Sequence, residues 1–330
     1  MRGLQKPKPA PTASYCVERV EPFVSSRHPS AVTLWRAATR GARAEPRDGG
    51  LVVRPLSEPD VPAAARAAAS AFGMDISDSA RRLRWEARVA HPLATDPEGC
   101  FVAEQGGEVM GVAQALMREG LWILSLLAID PGVQSAGAGR LLMKSALGYG
   151  PPQAPGLIVS SDDPRAFRLY ARSGFALRPT FEADGVPRRR RPPVRAGVPV
   201  REAGEEALDE LAGVSRHVRG AAHTQELRYA LRRGALLLRA GDRGYVALQP
   251  GMGVWVLAAL DEEAAAALLW TALDVLGDRD EIRIRWISGE QPWAIDVAVR
   301  AGLRLRTYGG LAVRGAVGPL APFIPSGPFA

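Results

Sequence analysis

Cysteine is nearly absent: Cys16 and Cys100 are the only two in 330 residues. That excludes a disulfide framework and a cysteine metal site. Long apolar runs are missing as well. Nothing approaches the roughly 20 residues of a bilayer span, and the N-terminus lacks the uninterrupted apolar segment of a signal peptide. A cytoplasmic protein with no membrane partner is the expectation. Acid is in modest deficit, 35 acidic against 42 basic residues, and arginine supplies most of the net charge of +7. The densest basic run, Arg188-Arg189-Arg190-Arg191, is bracketed by Pro187, Pro192 and Pro193, a composition that reads as a solvated, extended linker rather than a nucleic-acid tract. No nucleic-acid partner and no metal are expected.

What remains is 47% hydrophobic sequence, enough to bury a core in each of two domains. Residues 1–50 are rich in Pro, Arg, Ala and Ser without a sustained apolar period and read as a disordered leader. From Leu51 the pattern is regular. Leu51 to Leu56 reads as a strand, an alanine-rich helix follows from Asp60 and Pro62 to near Phe72, and a second helix runs from Asp78 to Val89 before His91-Pro92 breaks it. Phe101 to Glu104 and Val109 to Met117 form a hairpin across Gly106-Gly107. Glu119-Gly120 turns the chain into the stretch that organises the rest.

That stretch is Leu121 to Leu147. Its apolar run to Ile129 is long enough for a strand buried on both faces, Asp130-Pro131 ends it, and Leu141, Leu142, Ala146 and Leu147 recur at helical spacing. The loop between holds Gln134, Gly137 and Gly139, where missing β-carbons let backbone N–H groups converge on an anion at a helix N-terminus. A phosphate or pyrophosphate is the natural ligand. A P-loop fits badly because no lysine follows the glycines, and a dinucleotide fingerprint because a third glycine is missing.

Gln134-Ser135-Ala136-Gly137-Ala138-Gly139 instead resembles the Gln/Arg-x-x-Gly-x-Gly/Ala pyrophosphate loop of the GNAT superfamily of acetyl-CoA-dependent N-acetyltransferases. A second signature agrees. Asp163 to Phe175, after a strand at Leu157 to Ser161, resembles the family's Asn-x-x-Ala-x-x-Leu-Tyr-x-x-x-Gly-Phe, with Asp163 in place of Asn. Either residue caps a helix. The implied fold is an α/β mixed sheet, arranged as two tandem GNAT-like domains: a catalytic one over 51–185, a linker over 186–197, a degenerate copy over 198–317 and an apolar, proline-rich tail over 318–330 lying along a groove.

The second copy is read from an echo. Gln291 to Leu303 repeats Asp163 to Phe175 at an offset of 128, after three strands at 236–240, 244–249 and 254–260, a helix at 264–276 and a strand at 282–287. Its chemistry is lost: Asp261, Glu262 and Glu263 replace the glycine loop, and Ala298 replaces Tyr170. A member whose activity sits in its C-terminal copy is therefore a poor match.

By the resemblance, acetyl-CoA lies on Gln134, Ser135, Ala136, Gly137, Ala138, Gly139 and Arg140, with its pantetheine arm along Leu127, Ala128 and Ile129 and with contacts to Asp163 and Tyr170. Tyr170 matches the family's general acid. Phe72, Met74, Trp85, His91 and Ser125 are candidate acceptor contacts. The base stays open among Glu119, Glu104, His91, a water chain and the terminal carboxylate of Ala330. The expected activity is acetyl transfer to a primary amine of a small molecule. The alternatives are a protein N-terminal or lysine acetyltransferase and a non-catalytic acyl-CoA-binding regulator. A homodimer is a further expectation.

Overall fold

The computed structural model describes residues 50–133, 137–190, 197–249, 253–277 and 281–330. The expected leader up to residue 49, Gln134 to Ala136 of the glycine loop and residues 191–196 of the linker lie outside these. The described residues fall within a unit spanning Arg47–Ala330.

The first half begins with β1 (Val52–Pro55), followed by two helices, α1 (Val61–Ala71) and α2 (Ser79–Thr95). α1 buries Ala64, Ala65, Ala67, Ala68 and Ala69, so its small side chains allow close approach to the sheet. The N-terminus of α2 is capped by Asp78, whose carboxylate accepts from the Arg81 amide at 2.9 Å. The expected break at His91-Pro92 does not occur. Pro92 sits inside α2, buried like Val89, and its carbonyl accepts from the Asp96 amide. A proline there sacrifices one backbone hydrogen bond at a cost of about 3 kcal/mol, and burial of this face against the sheet offsets it.

β2 (Cys100–Gln105), β3 (Glu108–Arg118) and β4 (Leu121–Ile129) are antiparallel neighbours, as the glycine turns require. α3 (Ala138–Gly148), β5 (Gly156–Ser160), α4 (Pro164–Arg172) and β6 (Ala176–Gly185) complete the half. The linker start is irregular, with the Arg188 and Arg189 amides resting on the Ala301 carbonyl.

The second half contains β7 (Arg201–Ala203), α5 (Leu208–Arg219), α6 (Thr224–Leu231), β8 (Leu236–Arg239), β9 (Gly244–Gln249) and β10 (Gly253–Ala259). It continues with α7 (Glu262–Leu276), β11 (Ile282–Ser288), α8 (Pro292–Ala301), β12 (Arg304–Arg314) and β13 (Phe323–Ile324). β8, β9, β10, α7 and β11 fall where strands and a helix are expected over 236–287, and α6, β12 and β13 lie outside those expected elements.

The halves interleave. The larger sheet runs β1-β2-β3-β4-β5-β12-β6-β11 and the smaller runs β13-β10-β9-β8-β7. β12 of the second half therefore lies between β5 and β6 of the first, antiparallel to both. The offset of 128 persists in three dimensions. It relates the ends of β5 and β11 at Ser160 and Ser288, the starts of α4 and α8 at Pro164 and Pro292, and the starts of β6 and β12 at Ala176 and Arg304. Related strands β6 and β12 pair with each other, with Arg304 opposite Asp184 and Arg306 opposite Glu182. The chain from Leu320 onward is mostly buried, and β13 pairs with β10.

Candidate active site

The central feature is a parting of two strands. β4 pairs in parallel with β5 only from Trp122 to Leu124, yet remains paired with β3 as far as Ile129. Beyond Leu124 the two parallel strands splay. Ser125 is the extra residue of a bulge, since Leu124 faces Ala115 while Leu126 faces Gln114. A bulge re-aims backbone groups at this point. The expected pantetheine contacts Leu127, Ala128 and Ile129 follow directly on the splayed edge.

After β4 the chain turns into α3. Gly137 caps that helix at φ +83°, a left-handed conformation that side chains resist. Gly139 lets the helix approach β4 closely, for a β-carbon there would stand 3.1 Å from Ile129 Cδ1. Ala138 is buried, and the exposed Arg140 carries its guanidinium back towards Gly137. The unpaired amides of a helix start, with this cation beside them, suit a phosphate group. Gln134, Ser135 and Ala136 belong to the undescribed part of the loop.

Tyr170 lies at the same end of β5, 5% exposed, with its hydroxyl interacting with the Ser160 side chain. Burial pushes its phenol well above the usual 10, so it holds its proton at neutral pH. Asp163 caps α4, accepting from the Arg165 amide at 2.8 Å, and pairs with the Arg165 guanidinium. Its carboxylate is thus committed within the protein.

On the other side, α2 presents Trp85, Arg88 and His91 at intervals of three. Trp85 stacks on the half-exposed Phe72 with centroids 5.9 Å apart, and Met74 is exposed nearby in sequence. Arg88 Nη2 donates to the Ser125 carbonyl at 2.6 Å and meets Ser125 Oγ at 3.0 Å, clamping the bulge. The Arg88 guanidinium also lies 5.3 Å from the Phe329 ring centre. His91 stacks on Tyr229 at 4.1 Å and meets the edge of Phe329 at 5.5 Å. Its Nε2 is buried without a hydrogen-bond partner among the described residues. Burial holds its pKa below the ordinary value.

Ser125 is held by Arg88, and His91 shares the Phe329 ring with Arg88, while Trp85 stands a turn earlier on α2 against Phe72. Tyr229 and Phe329 come from the second half, and sequence alone gave no sign of them. The spacing of Arg88 between Trp85 and His91 was the one available signal for that residue. Two base candidates fall elsewhere. Glu119 pairs with Arg216 and accepts from the Ala222 amide, contacts that hold it below the usual carboxylate range. Glu104 pairs with Arg54 near the sheet edge. The Ala330 oxygen is held by Arg219 at 2.6 Å and His223 at 2.9 Å.

The seam between the halves is polar at its centre. Arg118 donates to Asp96 of the first half at 2.8 Å and to Glu226 of the second at 2.6 Å, all buried. Tyr149 adds a hydrogen bond to Asp96. In the second half the equivalent of the phosphate loop is closed off. Asp261 caps α7 through the Ala264 amide and binds Arg243, which also holds Glu263.

A mixed sheet with splayed parallel strands feeding a glycine-capped helix defines a GNAT-like fold. A putative acetyltransferase from Pyrococcus horikoshii superposes with a TM-score of 0.69 at 16% identity, covering 88% of this chain and 99% of that one. A tandem GNAT protein from the clavulanic acid biosynthesis pathway superposes with a TM-score of 0.52 at 14% identity, covering 80% and 98%. In sequence, residues 64–175 match the Acetyltransferase (GNAT) family. A mycothiol acetyltransferase of Streptomyces bingchenggensis is 34% identical over 143 residues, 41% of this chain and 45% of that protein. The match therefore spans less than half of that relative's length.

Proposed function

We propose that the protein is an acetyl-CoA-dependent N-acetyltransferase that acetylates a primary amine of a small molecule in its first half. The observation that carries this reading is the splay of β4 from β5 with Tyr170 at its mouth and the start of α3 beyond it. Gly137, Gly139 and Arg140 fit a pyrophosphate, and the splayed edge of β4 fits an amide-bearing arm. Acetyl-CoA supplies the activated acetyl group as a thioester. The similarity to a mycothiol acetyltransferase supports acetyl transfer and leaves the acceptor open. In this chain the capped start of α7 supports reading the chemistry in the first half.

The acceptor must be neutral to attack. An alkyl ammonium of pKa near 10.4 is deprotonated about once in 2,500 molecules at pH 7, which adds roughly 4 to 5 kcal/mol to the barrier without assistance. His91, neutral through burial and with Nε2 uncommitted, is the base the geometry favours over Glu119 and Glu104. It takes the amine proton as the C–N bond forms. An amide N–H beyond the Ser125 bulge faces the carbonyl oxygen as it gains charge. Tyr170 gives its proton to the departing sulfur as the C–S bond breaks. Aromatic walls from both halves suit a small acceptor better than a protein chain.

Thiol release from acetyl-CoA, followed across a panel of primary amines, tests the reading. Amine-dependent release is the expected result. Absence of release with every amine, together with no acetyl-CoA binding by titration, would overturn it.

A further inference from the structure

Arginines buried at the seam generally meet acceptors for their charge. Arg118 has Asp96 and Glu226, and Arg219 has the carbonyls of Ala221, Ala222, Phe329 and Ala330. Arg88 differs. Among the described residues no carboxylate pairs with it, its Nη2 is spent on Ser125, and its Nη1 is buried without a hydrogen-bond partner. One helical turn on, His91 Nε2 is in the same condition. Burial lowers the Arg88 pKa to about 10, which still leaves it charged at pH 7. Arg88 is partly buried with its Nη1 wholly covered; a covered cationic group without a counter-charge is costly, and each unmet buried polar atom adds about 1–3 kcal/mol.

The place where this cost is concentrated is the bulge of β4, beside the aromatic rings of Tyr229 and Phe329. A counter-ion supplied by the acceptor resolves it. We propose that Arg88 is the recognition residue for a carboxylate carried by the acceptor amine, with His91 Nε2 facing the same molecule. The inference rests on the acceptor side proposed above. A carboxylate, a monoanion, matches the single charge of Arg88, whose unmet donor is Nη1. An amine bearing a carboxylate, an amino acid or a close relative, is therefore the substrate class.

The test is isothermal titration of the CoA-loaded protein with L-alanine and L-phenylalanine, each against its carboxamide and its decarboxylated amine. The wild type is expected to bind at least one acid tenfold or more tighter than its amide. Arg88→Met brings that ratio to within twofold in the CoA-loaded protein, and Arg88→Lys retains a reduced preference. Equal binding of acid, amide and amine by the wild type, or no binding of any, overturns the proposal. So does a preference that survives Arg88→Met. In parallel turnover, an equal loss across acids and amides in Arg88→Met with the binding preference intact assigns Arg88 to the acyl oxyanion instead. Preferential binding of the acids without any acetylation removes the acetyltransferase reading and leaves the carboxylate site standing.

Discussion

Tyr170 is buried and His91 partly so, and desolvation moves their proton affinities in opposite directions because it disfavours whichever form is charged. The phenol is kept protonated and the imidazole neutral, the two states that an acid and a base require at neutral pH. Tyr170→Phe is expected to lower kcat by 10-fold or more while acetyl-CoA affinity changes less than threefold, read by steady-state rates and titration. Unchanged turnover would remove the general-acid role. His91→Gln is expected to lower kcat/KM by about 10- to 100-fold. The acid limb of the wild-type profile falls below pH 6.5, the side to which burial displaces the imidazole, and should vanish in the variant. Tyr170 was legible in the sequence because the surrounding motif is contiguous. His91 stood among several candidates, and its packing against Tyr229, absent from the sequence pattern, is what favours it in the proposal over Glu119 and Glu104.

At the level of elements, α3 and α7 differ in how their helix starts are closed. α3 begins on Gly137 with an arginine folded towards it, whereas α7 begins on Asp261, with Arg243 neutralising its own acids. Gly137→Val places a branched side chain at φ +83°, at a strain of about 1–2 kcal/mol. It is expected to weaken acetyl-CoA binding tenfold or more by titration, with only a small fall in melting temperature. The converse change, Asp261→Ala, costs about 1 kcal/mol of stability through the lost cap and leaves acetyl-CoA binding unaltered. Both helices, and the glycine loop against its acidic counterpart, were readable from periodicity and composition. The continuation of α2 through Pro92 was not, because local sequence registers the missing amide and not the burial that offsets it.

For the whole molecule, the insertion of β12 between β5 and β6 ties the halves together. Gly309 shows how tightly: a β-carbon there would stand 2.2 Å from the Ser160 carbonyl oxygen. Residues 51–185 expressed alone leave β5 and β6 without the strand that joins them, and are expected to show no cooperative thermal unfolding by circular dichroism. A sharp transition in that fragment would refute the interdependence. Stability should also fall in acid. The folded-state pKa of His91 is depressed, and that of His223, 1% exposed, more so, both through desolvation. Below about pH 6.5 the unfolded chain binds protons that the folded chain does not. The contribution is thus full above pH 6.5 and falls as pH drops towards the folded values, by at most about 1.4 kcal/mol per pH unit for each histidine. Melting temperatures at pH 7.5, 6.5 and 5.5 check this, and a flat series would contradict it.

By itself the sequence determined the features that depend on neighbours along the chain. These are the strand-loop-helix unit of 121–147, the capped helix after Asp163, the echo at an offset of 128 and the acidic residues that close the second helix start. Periodicity and capping are local, and they leave their marks in order. Only the tertiary structure decided that β6 and β12 cross between the halves, that Arg88 clamps the Ser125 bulge, and that Tyr229 and Phe329 close over His91. Those contacts join residues from 37 to more than 200 positions apart. Their energies come from burial and unmatched charge, which a one-dimensional pattern does not encode.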